Sequence, residues 1–279
     1  MVDTVTTSQV SSNSPSVPAQ GKLSQPQTIK LILDRSQRPT RTVPIRRTFL
    51  QQGASTGPKT PGPLHELVRR SQKRAFDLYI LVSAVTSGGD FSVTEWSTTW
   101  ARSVGIFDET SGTAAVSRAW KVLEELNLIS RKRGKGGKTV ITKLNEDGSG
   151  SPYSPPAGGE PYFQLPFDYW DNNWHNTLSL PGKAMLLVAS SQRKTDFTLP
   201  QERMPKWYGI SPDTAGKGIR ELINNNILVH TGDEWYDTLS TRSGRASRPL
   251  YALWPPFSPR GLGTPTPDTE AGVVTTSGS

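Results

Sequence analysis

Apolar residues recur at helical spacing from Leu64 to Thr86, at Leu64, Leu67, Val68, Ala75, Leu78, Tyr79, Leu81, Val82 and Val85. That is the buried stripe of an amphipathic helix, and Gly88-Gly89 ends it. A short helix is expected from Thr94, with Trp96, Trp100 and Val104 on one side. A longer one follows over Ser111–Leu126, burying Val116, Ala119, Trp120, Leu123 and Leu126. Ser111 or Thr113 would cap its start, because a hydroxyl there accepts an otherwise unpaired backbone N–H. Leu128–Arg133 and Lys138–Leu144 then read as extended runs around a glycine turn.

The order repeats. LSLPGKAMLLVASSQ opens a helix at Pro181, and LPQERMPKWYGI supplies a short helix from about Pro200. SPDTAGKGIRELINNNIL is a longer helix with Ser211 capping and Pro212 in its first turn. Ile227–His230 and Leu250–Trp254 are extended. The two long helices align residue by residue: Ala119 with Ala215, Lys121 with Lys217, Leu123 with Ile219, and Glu125-Leu126 with Glu221-Leu222. Gly105-Ile106 parallels Gly209-Ile210 upstream.

Proline marks the boundaries. None lies between Leu64 and Ser151, so 61–148 reads as one helix-rich unit. SPYSPPAGGEP, within 149–160, reads as a stiff Pro/Gly linker, and 161–257 as a second unit. Residues 1–27 and 258–279 are polar, Pro-, Gly- and Thr-rich tails expected to be disordered. In 28–60, Ile29–Leu33 alternates as a short strand would, and Arg35, Arg38, Arg41, Arg46 and Arg47 follow. This is a basic arm, either a solvated tail or a grip on phosphates. The fold class expected is mainly α with small β wings: two tandem winged helix-turn-helix domains between disordered tails.

The chain has no cysteine and only three scattered histidines, which removes disulfides, thiolate catalysis and the usual zinc sites. Its apolar runs, such as Leu78–Val82 and Met185–Ala189, are too short to span a bilayer. A cytoplasmic protein without a membrane partner is expected. The net charge of +8 favours an anionic partner, and the cationic excess lies before residue 149.

SRKRGKGGKTVITKL, Ser130–Leu144, superficially ends like a phosphate-gripping loop at Gly137-Lys138-Thr139. Such a loop needs a glycine five residues before Gly137, and Lys132 stands there. It also needs a helix to follow, whereas Thr139-Val-Ile-Thr142 is β-branched. The stretch reads instead as a hairpin carrying Arg131, Lys132, Arg133, Lys135 and Lys138, which could line phosphates or merely keep an exposed ribbon soluble. On the preceding helix, Thr113, Ser117, Arg118 and Lys121 face away from the core. Arg118 fits a guanine edge, while Ser111, Ser117 and Lys121 suit phosphates. A surface ion pair of Arg118 with Asp108 or Glu124 is the alternative.

The second unit offers Thr214, Lys217 and Arg220 on its helix, and Arg242, Arg245 and Arg248 in a long loop. Asp213 opposes phosphate there, and Gly216 and Gly218 suggest close approach of DNA or of another helix. Its charge balance equally suits dimerisation or docking of a partner. Trp170, Trp174, Trp235 and Trp254 are expected in the core.

AAVSRAWKVLEELNLISRKR resembles the recognition helix and wing of winged-helix bacterial regulators. YFQLPFDYW…LSLPGKAMLLVAS, with the helices that follow, is similar to the DNA-binding region of plasmid replication initiators. The resemblance covers about 64–257 and extends to uncharacterised actinobacterial proteins of this arrangement. It implies a double-stranded DNA partner, with a second copy of the chain as a further candidate, and either transcription regulation or replication initiation as the role. No catalytic constellation and no cofactor are expected. An adaptor that keeps such domains for protein contacts is the alternative.

Overall fold

The computed structural model describes residues 22–53 and 57–258. The disordered tails expected at either end lie outside the described residues as far as 21 and from 259 onward, whereas Gln25–Gln27, expected in the first tail, open a helix. The chain opens with α1 (Gln25–Asp34), then β1 (Thr42–Arg46), a single helical turn at Arg47–Phe49, β2 (Gln51–Gln52) and β3 (Thr60–Pro61). α2 (Leu64–Arg69), α3 (Lys73–Val85), β4 (Ser92–Glu95), α4 (Ser97–Ser103) and α5 (Gly112–Glu125) follow, then β5 (Ile129–Arg133) and β6 (Thr139–Lys143). The second half runs β7 (Tyr162–Pro166), α6 (Asp168–Asp171), α7 (Trp174–Thr177), α8 (Leu180–Ser190), β8 (Phe197–Thr198), α9 (Met204–Tyr208), α10 (Pro212–Asn224), β9 (Leu228–Asp237) and β10 (Arg245–Leu253).

The architecture is mixed α/β, 41% helical and 22% strand, with four small antiparallel sheets. It is not the mainly α fold with small wings that the periodicity predicts. Helical stripes are conspicuous in a sequence, whereas eight of the ten described strands have only two to five residues and leave little periodic signal. β9 and β10 run well beyond the short apolar segments that announce them. Two of the sheets are the three-stranded ones, β4-β6-β5 and β8-β10-β9. The other two are the pairs β1-β7 and β2-β3.

Two local expectations are corrected. Ile29–Leu33 is helical, not extended. Ser24 and Gln27 form a reciprocal capping box, Pro26 sits in the first turn, and Ile29, Ile32 and Leu33 turn inward. Leu31, which an alternating strand would bury beside Ile29 and Leu33, is exposed. Three buried aliphatics at helical spacing plus a cap, worth about 1 kcal/mol, outweigh the alternation. Likewise the helix expected from Thr94 starts only at Ser97. Ser92–Glu95 forms a strand that pairs Val93 with Ile141 and Glu95 with Thr139. Trp96 therefore caps α4 half-exposed instead of joining Trp100 in the core.

One hydrophobic cluster runs from Ile29 to Phe257 and takes in both halves. In the first half, Trp100 of α4 meets Trp120 of α5 edge-on at 5.3 Å between ring centroids, a contact worth about 1 kcal/mol beyond its area. In the second, α10 lies so close to α8 that a Cβ on Gly218 would stand 2.5 Å from the Pro181 carbonyl oxygen and 2.6 Å from Met185 Cγ. The close approach expected at that glycine is thus to a helix.

The segment from α1 to β1 laces the halves together. β1 pairs antiparallel with β7, setting Val43 opposite Leu165 and Ile45 opposite Phe163. Arg46, buried, reaches Glu146 at 2.8 Å and Glu160 at 2.9 Å. Lys143, also buried, holds the other Glu146 oxygen at 2.9 Å, and its ammonium lies 3.8 Å from the Tyr153 ring centroid. Burial pushes the Lys143 ammonium down to about 8 and the Tyr153 phenol up to about 12. Residues 149–160 are thereby tied to the first half through Tyr153 and Glu160.

Candidate nucleic-acid interface

α5 is positioned by its apolar side. Ala115, Val116, Ala119, Trp120 and Leu123 are buried, and the opposite side exposes Ser111, Thr113, Ser117, Arg118 and Lys121. Ser111 occupies the N-cap position, but its side chain makes no capping hydrogen bond. Its backbone there (φ −107°, ψ 16°) is not the extended geometry that aims a capping hydroxyl at the helix. The helix ends where Asn127 takes φ 55°, and the buried Leu128 and Ile129 lead into the hairpin.

The hairpin is β5 and β6, with Arg131 opposite Ile141, Lys132 opposite Val140 and Arg133 opposite Thr139. Its turn places Gly136 and Gly137 at φ 65° and 81°, a region costly to residues with a Cβ. Thr139 starts a strand, so no helix N-terminus faces an anion here and the phosphate-loop reading fails in three dimensions as well.

Arg131 is the joint between helix and hairpin. Its guanidinium donates to Ser117 Oγ at 3.3 Å and pairs with Glu124 at 2.9 Å. Glu124 is therefore spent on Arg131 rather than Arg118, and Asp108 does not take Arg118 either. Arg118, Lys121, Arg133 and Lys135 have no counter-charge and no side-chain hydrogen bond among the described residues. Lys138 sits over the Trp96 ring at 5.7 Å. Lys132 makes no ion pair within contact distance among the described residues. Its charge helps hold Asp90 below the usual carboxylate range, a shift caused first by hydrogen bonds from Ser92. The result is a helix face and a ribbon, fastened by Arg131, whose exposed cations are largely unopposed.

The corresponding surface of the second unit is different. Lys217 pairs with Asp213 at 2.8 Å one helical turn away. Arg248 pairs with Glu234 at 2.8 Å across β9 and β10, and Arg245 with Asp237 at 3.3 Å. Thr214 hydrogen-bonds Ser211 through its hydroxyl and its amide. Arg220 and Arg242 are the cations left without such a partner among the described residues. Trp235, expected in the core, is 65% exposed, with Tyr236 and Leu239 also exposed along the same ribbon.

Most arginines of the basic arm are engaged within the fold. Arg35 pairs with Glu95, and Arg38 donates to the carbonyls of Ser83, Ala84 and Thr86, closing the C-terminal end of α3. Arg41 pairs with Asp171 at 2.7 Å, and Arg46 belongs to the buried network above. Four of its five arginines are thus internal staples, and Arg47 alone keeps a side chain without a partner among the described residues.

Comparison of the chain with protein-family models, curated proteins and solved structures gives no match. No helix among the described residues is long and apolar enough to cross a membrane.

Proposed function

We propose that the protein binds double-stranded DNA through its first unit. In this reading α5 enters the major groove with Arg118 towards a base edge, while Lys121 and Thr113 meet the flanking phosphates. Lys132, Arg133, Lys135 and Lys138 run along the neighbouring backbone, and Arg131 with Ser117 holds the hairpin at a fixed angle to the helix. The observation that carries the reading is the set of unopposed cations, Arg118, Lys121, Arg133 and Lys135, on two elements joined by a salt bridge. A hairpin needing charge only for solubility would not require a helix face of the same sign beside it.

Sequence-specific recognition, in a transcription regulator or a replication initiator, is the finer proposal. Selection of bound duplexes from a random library by the full-length protein at fixed salt tests it. An enriched motif that Arg118→Ala relaxes is the expected outcome. Salt-sensitive binding with no motif would reduce the protein to a non-specific DNA binder, and no binding at low salt would reject the reading.

A second reading, an adaptor making protein contacts, is favoured by one observation: the exposed Trp235, Tyr236 and Leu239 on the β9–β10 ribbon. Aromatics of this kind anchor protein interfaces. It becomes the first choice if duplex binding fails while Trp235→Ser abolishes association of the chain with itself or with a partner.

A further inference from the structure

On the β1–β7 side of the molecule two hollows adjoin, and Arg193 lines both. The first is a cleft of about 360 Å³ whose walls include the aromatic Tyr162, Phe163, Phe197 and Phe257. Gln164, Ser190 and Gln192 supply polar edges there. The second is a depression of about 260 Å³ lined by Arg47, Lys59 and Arg193 with Thr48 and Gln51. Among the described residues, no carboxylate lines either hollow.

These cations come from three separate segments: the turn after β1, the approach to β3, and the loop after α8. Arg47 and Arg193 lie together without a counter-charge among the described residues, and such convergence costs stability unless an anion is received there. The Arg47 and Arg193 guanidinium groups have no partner among the described residues, and neither does the Lys194 ammonium at the cleft rim. The Thr48 hydroxyl is buried without a hydrogen-bond partner among the described residues. An aromatic slot of small-ligand size joined to an electropositive hollow matches a planar heterocycle carrying phosphate.

We propose that the two hollows form one site for a nucleoside 5′-phosphate, with the base in the aromatic cleft and the phosphates on Arg47, Lys59 and Arg193. The proposal does not rest on the DNA-binding reading, because it uses none of the α5 or β5–β6 residues. Tyr162 lines the cleft and is half-exposed, and in this site its ring would cover one face of the base.

Calorimetric titration of the full-length protein with ATP, GTP, CTP and UTP, and separately with adenosine and with tripolyphosphate, tests this. At least one nucleotide is expected to bind ten-fold or more tightly than either fragment. Arg193→Ala, in an exposed loop, should weaken that nucleotide at least ten-fold without lowering the unfolding temperature. Tyr162→Ala should weaken nucleoside and nucleotide alike, whereas the Arg133→Ala, Lys135→Ala double variant should bind nucleotide as the wild type does. Equal affinity for nucleotide and tripolyphosphate would overturn the proposal, leaving an anion patch. So would unchanged nucleotide binding by Arg193→Ala. If no nucleotide binds while Arg193→Ala weakens duplex binding, the hollow is part of a DNA surface instead and the proposal is again overturned.

Discussion

The two helix–hairpin units show how little of a binding surface is determined by backbone plan alone. α5 with β5–β6 and α10 with β9–β10 follow the same order, and aligned residues share their environments. Ala119 and Ala215 are buried, as are Leu123 and Ile219, while Lys121 and Lys217 are exposed. Each helix ends on an asparagine in the left-handed region, Asn127 at φ 55° and Asn226 at φ 54°. Their charges are handled in opposite ways. In the first unit Arg118, Lys121, Arg133 and Lys135 face solvent unopposed. In the second, Asp213, Glu234 and Asp237 neutralise Lys217, Arg248 and Arg245. Their interiors differ as well: Trp120 fills against Trp100, whereas Gly218, at the place of Val122, lets α10 close on α8, and Gly216, at the place of Trp120, faces Gln201. One unit is left with a cationic face and the other with a balanced ribbon carrying exposed aromatics.

The largest effect should separate the two hairpins directly. Replacing Lys132, Arg133 and Lys135 by alanine is expected to weaken random duplex on the order of a hundred-fold at low salt. The salt slope should fall by about 0.9 for each phosphate that is no longer neutralised. Replacing Arg245 and Arg248 by alanine should leave both quantities nearly unchanged. Equal losses from both variants, measured by fluorescence anisotropy across a salt series, would erase the contrast.

The shared core makes a second expectation. His175 is buried, and burial pushes it down to about 4 from 6.5. The unfolded chain therefore binds more protons in that interval, so stability is full above pH 6.5 and declines as pH falls towards 4. The loss attributable to His175 is about 3 kcal/mol at most. Denaturant unfolding should show a single transition for both units, and His175→Phe should flatten this part of the pH dependence. Two separate transitions would mean that the units are energetically independent.

Smaller effects come from single positions. Arg118→Ala should cost about 1–3 kcal/mol of discrimination at one base pair and little affinity for random duplex. An unchanged selected motif would place base reading elsewhere. Gly218→Ala should destabilise the fold by about 1–3 kcal/mol, because the added methyl meets the Pro181 carbonyl. Trp235→Ser, on the exposed ribbon, should shift stability by no more than about 0.5 kcal/mol.

What the sequence discloses and what it conceals have physical reasons. The exposed face of α5 is legible because five buried residues at helical spacing define its opposite. The hairpin is legible because a glycine turn separates two extended runs. α1 is easily mistaken for a strand because IKLIL satisfies an alternating pattern. The deciding signal, Ser24 three residues before Gln27 with Pro26 between them, is nevertheless present. β4 escapes notice because a four-residue strand offers one large apolar side chain, Val93. The Asp213–Lys217 pair is readable from its one-turn spacing. Pairing of Glu234 with Arg248 and of Asp237 with Arg245 is not, since it depends on cross-strand register and on the irregularity between Leu250 and Tyr251. The arm's arginines are similarly opaque, because their partners lie 45 to 130 residues away.

Directed cleavage of DNA tests the central claim most simply, since the chain has no cysteine of its own. A single cysteine is placed at Ser117 (Ser117→Cys), and in a second protein at Ser243 (Ser243→Cys), each carrying an iron chelate that generates hydroxyl radicals. Bound to a duplex, the first protein should cut the strands within a narrow window, and the second should cut weakly or not at all. Strong cutting from position 243 with none from position 117 would contradict the assignment of DNA to the first unit.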